Sequence, residues 1–81
     1  MKYIYPAIFE KDEYGGYNVT FPDIFGGVTC GDDEDDAVFM AKDLLVTMLT
    51  SAKEQCFKPH TLEETKQKFA GKKVIIIEVE I

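Results

Sequence analysis

The most conspicuous chemical feature of the sequence is a run of five consecutive acidic residues. This run, called the acidic segment below, directly precedes a helix-like apolar pattern and consists of Asp32, Asp33, Glu34, Asp35 and Asp36. Acids in a first helical turn each stabilise the helix by about 0.3 to 1 kcal/mol, because they face the positive end of the helix dipole. One or two acids are enough for that role. The excess leaves two readings open: helix capping alone, or capping together with recognition of a basic surface.

A metal site is a third use for so many carboxylates, and the spacing argues against it. Successive helical residues point about 100° apart, so the acidic segment cannot converge on one ion. A two-metal nuclease needs carboxylates from separate elements around ions about 3.5 to 4 Å apart. Glu10 and Asp23 are the other acids that such a site would require, and they would have to face a common pocket. We predict no metal site, no cofactor and no catalytic residue.

Nucleophilic chemistry has few candidates. His60 is the only histidine, and it has no carboxylate or cysteine at the spacing of a ligand set or a triad. We predict a solvated loop residue. Cys30 and Cys56 are the only cysteines and belong to no Cys-x-x-Cys motif, so we predict reduced, buried thiols.

The charge balance excludes some partners and favours others. Nine basic residues, all of them lysines, stand against 15 acidic ones, which gives a formal net charge of -6. Phosphate binding relies on clustered cations, above all arginine, so we predict no direct nucleic-acid binding. A basic protein partner fits better.

Length and hydropathy set two further expectations. A chain of 81 residues buries only about 60 to 65% of its unfolded surface, so a partner or a second copy that covers apolar surface stabilises it. We therefore predict a homo-oligomer. The chain has neither a signal peptide nor a run of about 18 apolar residues, which predicts a cytoplasmic protein without a membrane span.

The first half of the chain predicts three antiparallel strands. Residues 2–11 are rich in aromatic and β-branched types, and a glycine-containing turn at residues 12–16 connects them to an alternating strand at residues 17–21. Tyr14 in that turn is predicted to be exposed. A third short strand covers residues 28–30 after a glycine pair.

Two helices and a last strand follow. A long helix begins at about Asp33, with Asp32 or Asp33 as its cap, and continues to about Gln55. Thr61 and Glu64 have the spacing of a capping box, which predicts a short helix to about Phe69. The final strand begins after Gly71. The element order βββααβ predicts an α+β fold in which the long helix covers one sheet face.

The other sheet face is also partly apolar. Four residues are left over once the long helix is packed, and we predict that they form a self-association surface: Ile4, Ile8, Val74 and Ile76. Pro6 in the first strand cannot donate a ladder hydrogen bond, so it requires an edge, a strand start or a bulge.

The order of these signals resembles the HicB-like antitoxins of bacterial type II toxin-antitoxin systems. The resemblance spans nearly the whole chain and rests on Tyr5-Pro6-Ala7 with Phe9-Glu10, Gly15-Gly16-Tyr17, Phe21-Pro22-Asp23, Val28-Thr29-x-Gly31-Asp32, and an acidic helix start followed by Ala37 and Ala41. It implies a partial ribonuclease H-like fold in which the fourth strand is added parallel to the first. The first strand would then lie between the second and the fourth.

The resemblance also implies a function. HicB-like antitoxins bind and silence HicA, a small basic toxin that cleaves messenger RNA with a catalytic histidine. Many of them carry a C-terminal DNA-binding segment, and this sequence ends at Ile81, where such a segment would begin. We predict one HicB-like domain over residues 1–81 without that segment. The alternatives are an oligomerisation domain of a transcriptional autoregulator and a metal-dependent ribonuclease H-like nuclease.

The toxin-binding surface is predicted from turns and charge. Turns at a sheet end are common contact points, and Phe25 replaces a proline that is usual in the family. The predicted partner-binding residues are Asp23, Ile24, Phe25, Asp32, Asp33, Glu34 and Asp35. Asp23 is also a turn former, whose carboxylate would accept hydrogen bonds from nearby backbone N–H groups.

Overall fold

The structure, a computed structural model, describes residues 2–24, 26–51 and 60–81. Its elements follow the predicted order. They are β1 (Lys2–Lys11), β2 (Tyr17–Thr20), β3 (Val28–Gly31), α1 (Glu34–Ser51), α2 (Leu62–Lys68) and β4 (Lys73–Glu80). The predicted α+β fold with order βββααβ is confirmed.

The four strands form one sheet in the order β3-β2-β1-β4. The turn between β1 and β2 is closed by Asp12, whose N–H donates to the carbonyl of Gly16 at 2.9 Å. The Asp12 carboxylate accepts from the N–H groups of Tyr14 and Gly16, at 2.8 and 2.9 Å. Gly15 has a φ of 89°, a conformation that glycine adopts at little cost. The predicted hairpin is confirmed, and Tyr14 is exposed.

The direction of β4 differs from the expectation. β4 is antiparallel to β1, with Tyr3 opposite Val79 and Phe9 opposite Lys73, whereas the resemblance implied a parallel strand. The segment before β4 explains the difference. His60 bonds Asp23, beyond the far end of β2, whereas Lys72 pairs with Glu10 at the opposite end of the sheet. The chain thus returns along the sheet before β4 begins, and β4 runs antiparallel to β1.

The main core lies between the sheet and α1. Every second residue of a strand lies on the same side of the sheet, and helix residues three or four positions apart share one face. Alternate strand residues therefore pack against one stripe of α1. The buried members are Tyr5, Ala7, Phe9, Val19, Phe21, Ile24, Ala37, Ala41, Leu45, Ile77 and Val79. The small side chains of Ala37 and Ala41 allow a close approach: a Cβ added to Gly31 would lie 2.4 Å from the Ala37 nitrogen.

The opposite side of the sheet, called the outer face below, carries Ile4, Pro6, Ile8, Val74 and Ile76. We expected Ile8 to remain uncovered on this face once the long helix is packed. This expectation is wrong, because the Ile8 side chain is only 4% exposed. The short helix α2 contacts β4, and its more buried residues, Leu62, Thr65 and Phe69, recur at about one helical turn. Leu62 and Phe69 do not belong to the apolar core on the α1 side, and neither does the buried Ile8. α2 therefore covers part of the outer face.

Pro6 is accommodated without a bulge. The register of β1 with β2 covers only Ile8 to Lys11, so Pro6 lies beyond the end of β2 and pairs only with Ile76 of β4. At Pro6, among the described residues, no strand pairs with β1 on the side where β2 pairs with Ile8 to Lys11. The N–H that proline lacks is therefore not needed for sheet pairing.

The coverage of the outer face ends before β3. Cys30 on β3 is exposed, so the prediction of a buried thiol is wrong for this residue. Val28, on the same strand, is exposed as well. β3 is the edge strand on the other side of the sheet from β4, beyond the part that α2 contacts. Cys56 and the predicted end of α1 at Gln55 lie outside the described residues.

Candidate partner-binding surface

The acidic segment forms the start of α1, and two of its members cap the helix. The Asp33 carboxylate accepts from the Asp36 N–H at 2.8 Å, and the Asp33 carbonyl accepts the first helical bond, from the Ala37 N–H at 2.9 Å. Asp36 in turn accepts from the Asp32 N–H at 2.9 Å. Of the two predicted caps, Asp33 is therefore the one the structure uses. These bonds satisfy N–H groups that a helix start leaves without partners.

A third member ties the helix to the sheet. The Glu34 carboxylate pairs with the Lys73 ammonium, at the first residue of β4. Lys73 also lies over the ring of Tyr17, 5.6 Å from its centroid. Both partners of the ion pair are about half exposed, so water screens it and its contribution to stability is small.

The other two members leave their carboxylates to the solvent. Asp32 and Asp35 are exposed. Among the described residues, no side chain or backbone group forms a hydrogen bond or an ion pair with either carboxylate. The acidic segment thus divides into three residues that the fold uses and two that are free for a partner.

Asp23 has a structural role that the sequence did not indicate. Its carboxylate accepts from the His60 N–H at 3.0 Å and pairs with the His60 ring through Nδ1. The Asp23 side chain is only 6% exposed, whereas the His60 ring is largely accessible. His60 is thus exposed, as predicted, but it is bonded, to a carboxylate 37 positions away in sequence. The predicted turn role of Asp23 is replaced by this long-range contact.

The neighbours of Asp23 do not form an exposed contact point either. Ile24 is buried in the main core, and its carbonyl accepts from the Gly27 N–H at 3.0 Å. Its side chain is therefore not accessible to a partner at the surface of this chain, and its predicted role in partner binding stays a prediction. Phe25 lies outside the described residues.

The predicted partner-binding residues are not brought together. The turn with Asp23 precedes β3, whereas the acidic segment follows it, so they lie at opposite ends of this strand. Four strand residues span about 13 Å at about 3.3 Å each. The acidic segment alone remains as an exposed candidate surface.

Phe39 is a candidate that the sequence did not single out for binding. It lies on the solvent side of α1 and is 67% exposed. Asp35 and Asp43 are four residues before and after it, so all three share one helix face. The signal was present in the sequence, because Phe39 falls outside the apolar stripe of Ala37 and Ala41. An exposed aromatic residue between carboxylates is suited to a partner with an apolar pocket and a basic rim.

The carboxylates required for metal chemistry are far apart. Glu10 pairs with Lys72 at 2.7 Å at one end of the sheet, and Asp23 pairs with His60 at the other. Within residues 2–24, 26–51 and 60–81, no three histidine, cysteine or acidic side chains are placed to hold a metal ion. The nuclease alternative required Glu10 and Asp23 to face a common pocket, and they do not.

One carboxyl near His60 has a shifted pKa. Glu64 accepts from the Thr61 N–H at 3.0 Å, and the Glu64 N–H donates to the Thr61 hydroxyl at 3.1 Å. This is the predicted capping box, and it is confirmed. The bond from the Thr61 N–H is the main reason that the pKa of Glu64 lies below its ordinary value of 4.5. The Thr61 side chain and the nearby His60 lower it further.

These features define a class of protein before any comparison: a small α+β domain with an antiparallel sheet, one covering helix and an acidic, partner-accessible helix start. Comparison with known sequences then identifies the family. The sequence model of the HicB-like antitoxins of bacterial toxin-antitoxin systems matches residues 4–57. Because this is more than half of the chain, the protein belongs to that family.

Curated relatives and solved structures agree with this assignment. The chain is 49% and 51% identical, over 43 residues, to Antitoxin HicB 1 and Antitoxin HicB 2 of Photorhabdus laumondii. Those matches cover 53% of this chain and 28% and 30% of the two relatives. The matched segment therefore spans less than a third of each relative's length.

Three solved structures share the fold. The N-terminal domain of the Burkholderia pseudomallei antitoxin HicB superposes with a TM-score of 0.83 and 27% identity, covering 98% of this chain and all of that domain. The larger B. pseudomallei HicB structure gives 0.79 and 28%, covering 95% of this chain and 62% of that one. A toxin-antitoxin complex from Streptococcus pneumoniae gives 0.76 at 19% identity, covering 99% and 70%, and at that identity it supports the fold alone.

Among the described residues, the helices lack the length and apolar character that a membrane span requires.

Proposed function

We propose that this protein is an antitoxin that neutralises a small basic HicA-type messenger-RNA-cleaving toxin by covering its RNA-binding surface and catalytic histidine. The observation that carries the proposal is the family match over residues 4–57. Inhibition of this kind requires stoichiometric burial of the toxin's site, and no catalytic group of the antitoxin takes part.

The charge of the chain supports a basic partner. The formal net charge is -6, and the carboxylates of Asp32 and Asp35 are exposed at the start of α1. Opposite fields accelerate encounter between two proteins and disfavour wrong partners. A surface that binds RNA through its phosphates is positively charged, so the same carboxylates can compete with RNA for it.

Phe39 adds an apolar contact to this surface. Binding energy concentrates on a few large side chains surrounded by polar residues, and aromatic residues are common among them. Phe39 is 67% exposed and lies one helical turn after Asp35 on the same face of α1. We propose Asp32, Asp35 and Phe39 as the centre of the toxin contact, in place of the predicted turn at Asp23 and Ile24.

The first experiment is co-purification of the chain with the protein encoded by the neighbouring open reading frame, followed by an assay of RNA cleavage by that protein with and without the chain. A stable complex that stops cleavage supports the proposal. Failure of the unaltered chain to bind or to inhibit overturns it.

Charge is then tested with two matched variants. Asp35→Lys should slow association with the toxin by about three- to tenfold at low salt, because it reverses one charge at the proposed contact. Glu80→Lys makes the same change in net charge at the end of β4 and should have a smaller effect. Equal association rates for the two variants would remove Asp35 from the contact.

The apolar contact has a similar pair of variants. Phe39→Ala should weaken the complex by about tenfold or more, as expected for a central aromatic residue. Tyr14→Ala removes an exposed aromatic ring from the β1–β2 turn and serves as the control. If both variants bind like the unaltered chain, the contact lies elsewhere.

We also propose that the chain self-associates and that it acts in the cytoplasm. The support for self-association is the apolar surface that remains on the outer face, where Ile4 is 47% and Ile76 is 38% exposed. Exposed apolar residues side by side on a small domain are typical of an interface.

A further inference from the structure

β4 forms one open edge of the sheet. β4 is the last strand in the order β3-β2-β1-β4, and its register with β1 is continuous from Lys2 opposite Glu80 to Phe9 opposite Lys73. It contains eight residues, no proline and no bulge. Natural sheets usually protect a long, regular edge, because its free N–H and C=O groups can pair with another strand.

The hydrogen bonds of β1 show which residues of β4 face this open edge. The Asp12 N–H donates to Gly16 on the β2 side, and alternate residues of an antiparallel strand point the same way, so Pro6 also points toward β2. Its partner Ile76 therefore points its N–H and C=O away from β1. Val74 and Glu78 share that direction. Among the described residues, no other element forms a backbone hydrogen bond with these groups.

The side chains beside this edge are complementary to themselves. Along the outer face the order is Lys72, Val74, Ile76, Glu78. If a second copy runs antiparallel with Ile75 opposite Ile75, Lys72 faces Glu78 of the other copy. Val74 then faces Ile76. Each Lys72–Glu78 pair joins a positive and a negative charge, and each Val74–Ile76 pair joins two apolar side chains. Cross-strand pairs of both kinds stabilise neighbouring strands.

The surroundings fit the same arrangement. Ile4 on β1 pairs with Glu78 and therefore lies diagonally beside the exposed Ile76. Ile4 thus extends the apolar strip of β4 onto β1. The Lys72 ammonium already binds Glu10, but it has three N–H donors and is 44% exposed, so it can bind a second carboxylate.

We infer that two copies of this chain join through their β4 edges, in antiparallel orientation about a two-fold axis at Ile75, to form one continuous sheet. This inference rests on the self-association proposed above and specifies its surface. It differs from the predicted face-to-face contact, because Ile8 is buried within the chain and the edge supplies main-chain hydrogen bonds as well as side-chain pairs.

The test is sedimentation velocity of the chain alone over a range of concentrations. The unaltered chain should dimerise. Lys72→Glu and Glu78→Lys should each raise the dimer dissociation constant by about tenfold or more, because the symmetry places each like-charge pair twice in the interface. The double variant should dimerise again, since Glu at position 72 then meets Lys at position 78 of the other copy.

Controls separate this interface from other outcomes. Glu80→Lys lies beyond the paired region and should leave the dimer intact, and circular dichroism checks that each variant is folded. A monomeric unaltered chain would overturn both self-association and the edge contact. A dimer that persists in both single variants, or that the double variant does not restore, would overturn the edge contact and assign self-association to another surface.

Discussion

Asp23, in the turn after β2, and Asp35, at the start of α1, are both acidic residues next to a short strand, and the fold treats them differently. Asp23 is nearly buried and holds the backbone and ring of His60. Asp35 is exposed, and its carboxylate forms no hydrogen bond or ion pair with the residues that the structure describes. A carboxylate that is buried and bonded contributes to folding, whereas one that is exposed and unpaired is available to a partner. The comparison of these two regions can be tested by substitution.

The largest effect is expected for Ile24, beside Asp23. Ile24→Ala should lower the free energy of unfolding by about 2 to 5 kcal/mol, because it leaves a cavity in the main core. Urea denaturation measures this change. Ile4→Ala, at a half-exposed position, should cost clearly less. Similar losses for the two variants would contradict the assignment of Ile24 to the core.

Asp23 itself should give the next largest effect. Asp23→Ala leaves the His60 N–H without its acceptor and should lower the free energy of unfolding by about 1 to 3 kcal/mol. His60→Ala removes only the ring contact and should cost less. A double-mutant cycle measures the coupling between the two side chains. Purely additive effects would show that the pair contributes nothing in solution.

Within the acidic segment, Asp33 and Asp35 should differ. Asp33→Ala removes the cap of α1 and should lower the free energy of unfolding by about 1 kcal/mol. Asp35→Ala should lower it by only about 0.5 kcal/mol or less, since the carboxylate has no bond to lose and only its exposed interaction with the helix dipole is removed. Chemical denaturation of both variants gives the comparison. Equal losses would mean that the segment acts on the fold only through its total charge.

The smallest effect concerns pH and the capping box near His60. Because folding lowers the pKa of Glu64 below 4.5, its ionised form stabilises the fold above that pH. This contribution should disappear as pH falls through the pKa of the folded state. Glu64→Gln keeps a hydrogen-bond acceptor but cannot titrate. The stability difference between the unaltered chain and this variant should therefore be present at neutral pH and shrink in acid; a difference independent of pH would refute this role.

Local sequence signals predicted the elements well. The Asp12 turn, the Thr61–Glu64 capping box and the acidic start of α1 depend on residues within a few positions of one another, so their bonds follow from spacing. Strand periodicity also assigned residues correctly to the two faces of the sheet. It did not show which parts of the outer face are covered, and for that reason the predictions for Ile8 and Cys30 were wrong.

The candidate site was predicted less completely than the fold. The acidic segment was identified from its composition, and the bonds of Asp33 and Asp36 are local, but the bonding of Glu34 depends on Lys73, which is 39 positions away. The link between Asp23 and His60 has a similar separation. A pattern of neighbouring residues cannot predict contacts between residues so far apart in sequence.

The sequence by itself determined the order of elements, the helix caps, the net charge and the residues that share each sheet face, because these depend on neighbours along the chain. The direction of β4, the burial of Ile8 and Ile24, the pairing of Asp23 with His60 and the exposure of the β4 edge were decided only by the tertiary structure. All of these depend on contacts between residues distant in sequence: the packing of α1 against the sheet buries Ile24, and the return of the chain through α2 places β4 against β1.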